Sequence, residues 1–234
     1  MTPNRILHPA VLFCALTLFT LLPVTRCQAL ITGFNDIDYW VGSGTNQAAL
    51  VIDWNDGISP VSLAWGFQWD GIATGEDMIQ AIAGTTLGDV SATGADSRLT
   101  IYITAFGFGN AIDRIAYNGD GFTHDSAGFL SGGYWEYYNM GGTFDTPPDG
   151  DPNVFAGSDS LPGTGGAPDW ISSWTGFSAR ELGDGSWDGW SFAPDFVSQG
   201  VEVPVAAVPE PGTLILSVFA AGFLASRRRP RTTA

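Results

Sequence analysis

Val61-Ser62-Leu63-Ala64-Trp65-Gly66-Phe67-Gln68-Trp69 alternates without a break between large apolar residues and small or polar ones. A period of two places Val61, Leu63, Trp65, Phe67 and Trp69 on one face of a strand. Ala48 to Asp53 predicts a second strand, and Trp54-Asn55-Asp56-Gly57 between the two predicts a hairpin, because Asp-Gly accepts the positive φ angles of a tight turn. Ser97 to Phe106 alternates again, with Leu99, Ile101 and Ile103 on one side and Thr100, Tyr102 and Thr104 on the other. Ile112 to Tyr117, Gly133 to Tyr138, Phe177 to Leu182 and Trp187 to Phe192 complete a set of seven short strands. One helix interrupts them. Thr74 caps it, Glu76 and Asp77 occupy the first turn where the helix dipole favours anions, Met78, Ile79 and Ile82 form its apolar face, and Gly84 stops it. The pattern predicts a single mainly β domain with one short helix over residues 30–200.

Outside that domain the pattern changes. Asn4-Arg5 followed by the apolar run Ala10 to Leu22 has the layout of a secretory signal peptide over residues 1–29, with cleavage after Ala29 in the small-residue context Cys27-Gln28-Ala29. Lipid anchoring at Cys27 is the alternative, which the charged Arg26 beside it disfavours. The only two cysteines, Cys14 and Cys27, lie in this segment, so the domain is expected to fold without a disulfide. Residues 141–169 hold seven Gly, five Pro and five Asp, which predicts a long loop, and residues 201–207 read as a linker. Thr213 to Ala225 is apolar all round except for Ser217. As a helix it is about 20 Å long, short for a span but better suited to lipid than to a core, with Arg227, Arg228, Arg229 and Arg231 kept on the cytoplasmic side.

The order Val208-Pro209-Glu210-Pro211, apolar helix, arginine cluster over residues 208–231 resembles the PEP-CTERM sorting signal. The resemblance implies a Gram-negative bacterium and passage through the export machinery. It also implies transient residence in the inner membrane through the helix 213–225, then release by an exosortase-type protease to the cell surface or an extracellular polysaccharide matrix. A second resemblance lies upstream. Thr74-Gly75-Glu76-Asp77-Met78-Ile79-Gln80-Ala81-Ile82, then Ala111-Ile112-Asp113-Arg114-Ile115, then Gly133-Tyr134-Trp135-Glu136-Tyr137-Tyr138-Asn139 and Glu181-Leu182-Gly183-Asp184-Gly185 are similar to the transcobalamin C-terminal type of module. That likeness implies a β-grasp fold and admits a corrinoid-like cofactor. The family's Val-Asn-Gly stands here as Tyr138-Asn139-Met140-Gly141, a departure that counts against the ligand.

Charge narrows the partners. Residues 30–200 contain no lysine and three arginines against 22 acidic residues, a net charge near −19, which excludes nucleic acid as a partner. All nine Trp and six Tyr fall between Tyr39 and Trp190, so the acidic chain is expected to fold. One histidine, no cysteine and no lysine exclude thiol, Schiff-base and zinc chemistry, and His124 reads as a loop residue. Paired carboxylates such as Glu76, Glu136 and Glu181 are the only catalytic option left, of the glycosidase kind. Asp184, Ser186, Asp188 and Asp195 fall at positions 1, 3, 5 and 12 of a twelve-residue calcium loop, or else at two Asp-Gly turns. Trp135, Tyr137, Trp187 and Trp190 are either core or a surface for a glycan. The leading expectation is a non-enzymatic envelope or matrix protein. A binding module for glycan, calcium or a corrinoid is the alternative, and a carboxylate glycosidase the third.

Overall fold

The computed structural model describes residues 29–107, 109–119, 121–128, 131–140, 170–173 and 175–208. Except for Ala29 and Val208, the expected signal peptide, the loop 141–169 and the sorting signal with its helix lie outside the described residues. Among the described residues the protein is mainly β with a single α-helix and two sheets. The strands are β1 (Trp40–Gly42), β2 (Asn46–Asp53), β3 (Ser62–Trp69), β4 (Ala83–Leu87), β5 (Val90–Ala92), β6 (Asp96–Phe106) and β7 (Gly109–Gly119). They continue with β8 (Phe122–Ala127), β9 (Gly133–Met140), β10 (Ile171–Ser172), β11 (Ser186–Pro194) and β12 (Val205–Ala206), and the helix α1 is Gly75–Ile82. The first sheet runs β1-β3-β2-β11-β9-β10 with β12 also paired to β3, and the second runs β5-β4-β6-β7-β8. Among the described residues no helix is long and apolar enough to cross a membrane.

The main core lies between the sheets. Leu50, Ile52, Leu63, Trp65, Phe67 and Trp190 from the first meet Leu99, Ile101, Ile115 and Tyr117 from the second, with Met78, Ile79 and Ile82 of α1 packed among them. A smaller cluster covers the opposite face of the first sheet, where Ala49, Val51, Ala64 and Trp187 meet Ile31, Phe34 and Ile37. The central strands β2 and β11 are therefore buried on both faces, and β2 reads as a continuous apolar run for that reason. Small residues on the second face of β3 make room for this cover. A Cβ on Gly66 would stand 2.3 Å from the Trp40 ring.

The helix forms as its capping residues require. The Asp77 N–H donates to Thr74 Oγ1 at 3.2 Å, and the Thr74 N–H donates back to Asp77 Oδ2 at 2.8 Å. The chain passes directly from Ile82 into β4, so Gly84 lies in a strand rather than serving as a cap. The run similar to the transcobalamin-type module is divided between the sheets: Ala111–Ile115 belongs to β7 in the second, and Gly133–Asn139 to β9 in the first.

Four further expectations change. Phe177–Leu182 is not a strand but a turn, whose carbonyls cap the helix: Gly75 N–H donates to Arg180 O at 3.0 Å and Glu76 N–H to Phe177 O at 3.1 Å. The β2–β3 connection is not a tight turn at Asp56-Gly57. It runs from 54 to 61, although Gly57 does take a positive φ of 74°. His124 is not in a loop but in β8, fully buried, because Thr123-His124-Asp125 alternates outward, inward, outward. Residues 201–207 are not a linker. Val205 and Ala206 pair with Leu63 and Ala64, Ala207 N–H donates to Ala64 O at 2.9 Å, and Leu30 bridges Val205 while Ile31 N–H donates to Pro204 O at 2.9 Å.

Candidate functional site

The four aromatic residues singled out from the sequence are packed inside. Trp190 and Tyr137 face each other across β11 and β9, stacked at 4.5 Å between centroids, with Phe177 edge-on to Trp190. Trp135 on the same face donates its Nε1–H to Ser126 O at 3.1 Å, which ties β9 to β8. Trp187 points the other way, fully buried against Phe34. They do not share a surface: three belong to the main core and its margin, and the fourth to the smaller cluster.

The oxygen atoms of the expected calcium loop are not brought together. Ser186–Pro194 is a continuous strand, and roughly 25 Å of extended chain separates Asp184 from Asp195. Asp184 accepts from the Gln47 N–H at 2.9 Å, and Ser186 Oγ donates to Gly183 O. Asp188 is buried and already engaged. Arg180 donates to its Oδ1 from Nη2 at 2.9 Å and from Nε at 3.1 Å, while the Tyr137 hydroxyl donates to Oδ2. Among the described residues no group of three or more His, Cys, Asp or Glu side chains is placed to hold a metal ion.

Several other titratable residues also have structural partners. Glu76 accepts at Oε1 from Gln80 and from Asn110, both at 3.1 Å. Tyr134 lies 3.5 Å from Glu136 Oε2, and Glu181 forms a backbone bridge with Thr74. His124 donates from Nδ1 to Asp56 Oδ2 at 2.9 Å and stacks on Trp54 at 4.4 Å. Asp53 accepts from the backbone N–H of Glu202 at 2.8 Å and of Asn55 at 3.1 Å. Burial nevertheless pushes its carboxyl up to about 6, with the charges of Glu202 and Asp56 adding to the rise.

A raised carboxyl is protonated more readily in the fold than in the open chain, so its contribution to stability is full below about pH 3.8 and is lost as pH rises through about 6. The unfolding free energy is expected to be larger at pH 5 than at pH 7.5 by about 1 to 1.5 kcal/mol from this residue. Urea titrations at the two pH values check it. In Asp53→Asn the difference should shrink by that amount, and an undiminished difference would assign it elsewhere.

The clearest site-like construction is at the start of the expected sorting signal. Asp96 and Arg98 form a pair with side chains 0% and 8% exposed: Arg98 Nε donates to Asp96 Oδ1 at 2.8 Å and Nη2 to Oδ2 at 2.9 Å. Trp65 Nε1 donates to the same carboxylate at 2.9 Å. Arg98 Nη2 also donates to Val208 O at 2.5 Å, so the chain is held by a fixed guanidinium at the residue before Pro209. Sequence reasoning missed this contact. Its only trace was that each of three arginines in so acidic a domain needs a nearby carboxylate, and Asp96 stands two positions from Arg98.

Comparison of the chain with protein-family models, with curated proteins and with solved structures gives no match in any of the three.

Proposed function

We propose that the chain is a non-enzymatic exported protein of the bacterial cell envelope or extracellular matrix, sorted by an exosortase-type membrane protease. The observation that carries this is the ordered run from Val208 to Arg231: Pro-Glu-Pro, an apolar stretch, then clustered arginines. In this reading residues 1–29 direct export and are removed. Residues 213–225 then hold the protein in the inner membrane, with Arg227, Arg228 and Arg229 on the cytoplasmic side. Release carries the domain to the cell surface or to an extracellular polysaccharide. A β-grasp relation for the stretch from Thr74 to Gly185 belongs to the same proposal and rests on motif order.

Two physical features support the reading. Proline on both sides of Glu210 disfavours helix, keeping the peptide bonds of the segment open to a protease. The β12 pairing and the Arg98 contact bring the folded body up to Val208, leaving four residues, Pro209 to Gly212, before the apolar run. Fully extended, the step from Val208 to Thr213 covers about 17 Å, so the recognition segment is presented close to the bilayer at a set depth.

Replacing Pro209, Glu210 and Pro211 together by alanine is expected to leave full-length protein in the inner membrane of a host that carries the sorting protease. Cell fractionation with an antibody against the domain reads the result. Delivery of this variant to the surface or medium at the wild-type level would reduce the tail to a plain anchor.

A further inference from the structure

The outward face of the second sheet holds a depression that reaches Arg98 at one end. Register sets its plan. Ala116 of β7 lies between Thr100 of β6 and Asp125 of β8. One row further along in one direction Tyr102 pairs with Arg114, and in the other Asn118 pairs with Thr123. A side chain of a single carbon at the centre of longer ones leaves a trough, and a cavity of about 450 Å³ lies there, in the range of small-molecule sites.

The chemistry of the rim is polar and internally balanced. Arg114 forks Asp125, through Nε at 2.6 Å and through Nη2, and its guanidinium lies over the Tyr102 ring at 5.0 Å. Hydrogen bonding from Arg114 holds the Asp125 carboxyl below its usual range, so the pair stays ionised on both sides. Arg98 at the end of the trough is matched by Asp96 in the same way. Thr123 Oγ1 donates to Asn118 Oδ1 at 3.1 Å, which orients the amide with its N–H₂ donors available. The trough thus carries no net charge on a domain whose net charge is near −19. Within the trough the Asn118 amide supplies donors, and Asp125, Thr123 and Thr100 supply acceptors. A polyanion is repelled by the domain, and an apolar ligand would strand these groups. A ligand whose neighbouring groups both give and accept hydrogen bonds satisfies them.

We infer that this trough binds an uncharged glycan chain through its hydroxyl groups. The inference goes beyond the sorting proposal and does not depend on it, since binding is measured on purified protein whatever the fate of the tail.

The test is co-sedimentation of the purified full chain, in mild detergent, with insoluble cellulose, chitin and starch. At least one of the three should retain the wild-type protein. Ala116→Trp fills the depression from the solvent side and should weaken retention about tenfold, equivalent to the ~1.4 kcal/mol of a well-made polar contact, with no change in unfolding temperature. Asn118→Ala, at an exposed position, should weaken it in the same direction if the tryptophan variant proves unstable. Soluble dextran sulfate should not compete. Retention on none of the three polymers, unchanged retention of both variants, or displacement by dextran sulfate would overturn the assignment.

Discussion

Changing Asp188 to alanine is expected to cost the fold about 3–5 kcal/mol, because it strands the Arg180 guanidinium in the core. Both side chains are almost wholly buried, 1% and 2% exposed, and Arg180 makes two hydrogen bonds to the carboxylate it would lose. The Tyr137 hydroxyl would lose its acceptor as well. Damage spreads from there along known contacts, since the backbone carbonyl of Arg180 caps the first turn of α1. A loss of this size is a large part of the roughly 5–15 kcal/mol that holds an ordinary domain. Urea unfolding followed by tryptophan fluorescence should show a much lower midpoint with little change in slope. Replacing the pair together, Arg180→Met with Asp188→Leu, should recover most of the loss, because no buried charge then remains unpaired. A midpoint within experimental error of wild type for Asp188→Ala would show that water reaches Arg180.

Trp54→Ala is expected to be comparably costly, about 3–5 kcal/mol, as for other buried large-to-small changes. Trp54 stands just beyond the end of β2 and joins the two sheets. Its ring stacks on His124 of β8, lies 6.1 Å from the Tyr117 ring of β7, and donates from Nε1 to Ile115 O at 3.1 Å. Truncation opens a void between the sheets and leaves the Ile115 carbonyl without that donor. Trp54→Phe keeps most of the volume and loses the hydrogen bond, so a smaller loss of about 1–2 kcal/mol is expected. If the two substitutions cost the same in denaturant titration, the hydrogen bond rather than the filled volume would be what matters at this position.

What the sequence disclosed follows from where each strand lies. β3, β6, β7 and β9 carry large apolar residues at alternate positions, and that period survives in the structure because one face of each meets the main core. The helix was legible through Thr74 and Asp77, a local signal needing no tertiary context. β8 was hidden by its polar outer face and by His124, whose burial depends on Trp54 and Asp56 from a loop nearly seventy residues earlier. The parallel pairing of β2 with β11 leaves no mark in either segment, since each merely looks apolar and the partner is chosen by the whole chain.

The site residues divide in the same way. Asp184, Ser186 and Asp188 recur every second position, a spacing that serves a metal loop and an extended strand alike. Arg180, eight residues earlier, decides between them by taking the Asp188 carboxylate. The Trp and Tyr residues were legible as either core or surface, and the sequence could not decide for Trp187 because the face it occupies is covered by the distant segments 30–40 and 201–207. The trough on the second sheet was invisible for a different reason. It is made by an alanine, and a missing side chain matters only when its neighbours across two strands are known.

The bridge between Leu30 and Val205 has a consequence for the order in which the molecule can be completed. A chain that is delivered N-terminus first, from a ribosome or through a membrane pore, presents its opening segment long before the strand that receives it. β2 waits likewise for β11, and contacts of such long sequence separation make for slow closure. The second sheet, built from neighbours in sequence, has all its strands early; the first lacks its middle until residue 191 and its closing strand until residue 206. Within the first sheet β2 and β3 can therefore pair once residue 69 is out, while their joining to β11 and to Leu30 waits for the segment 186–206.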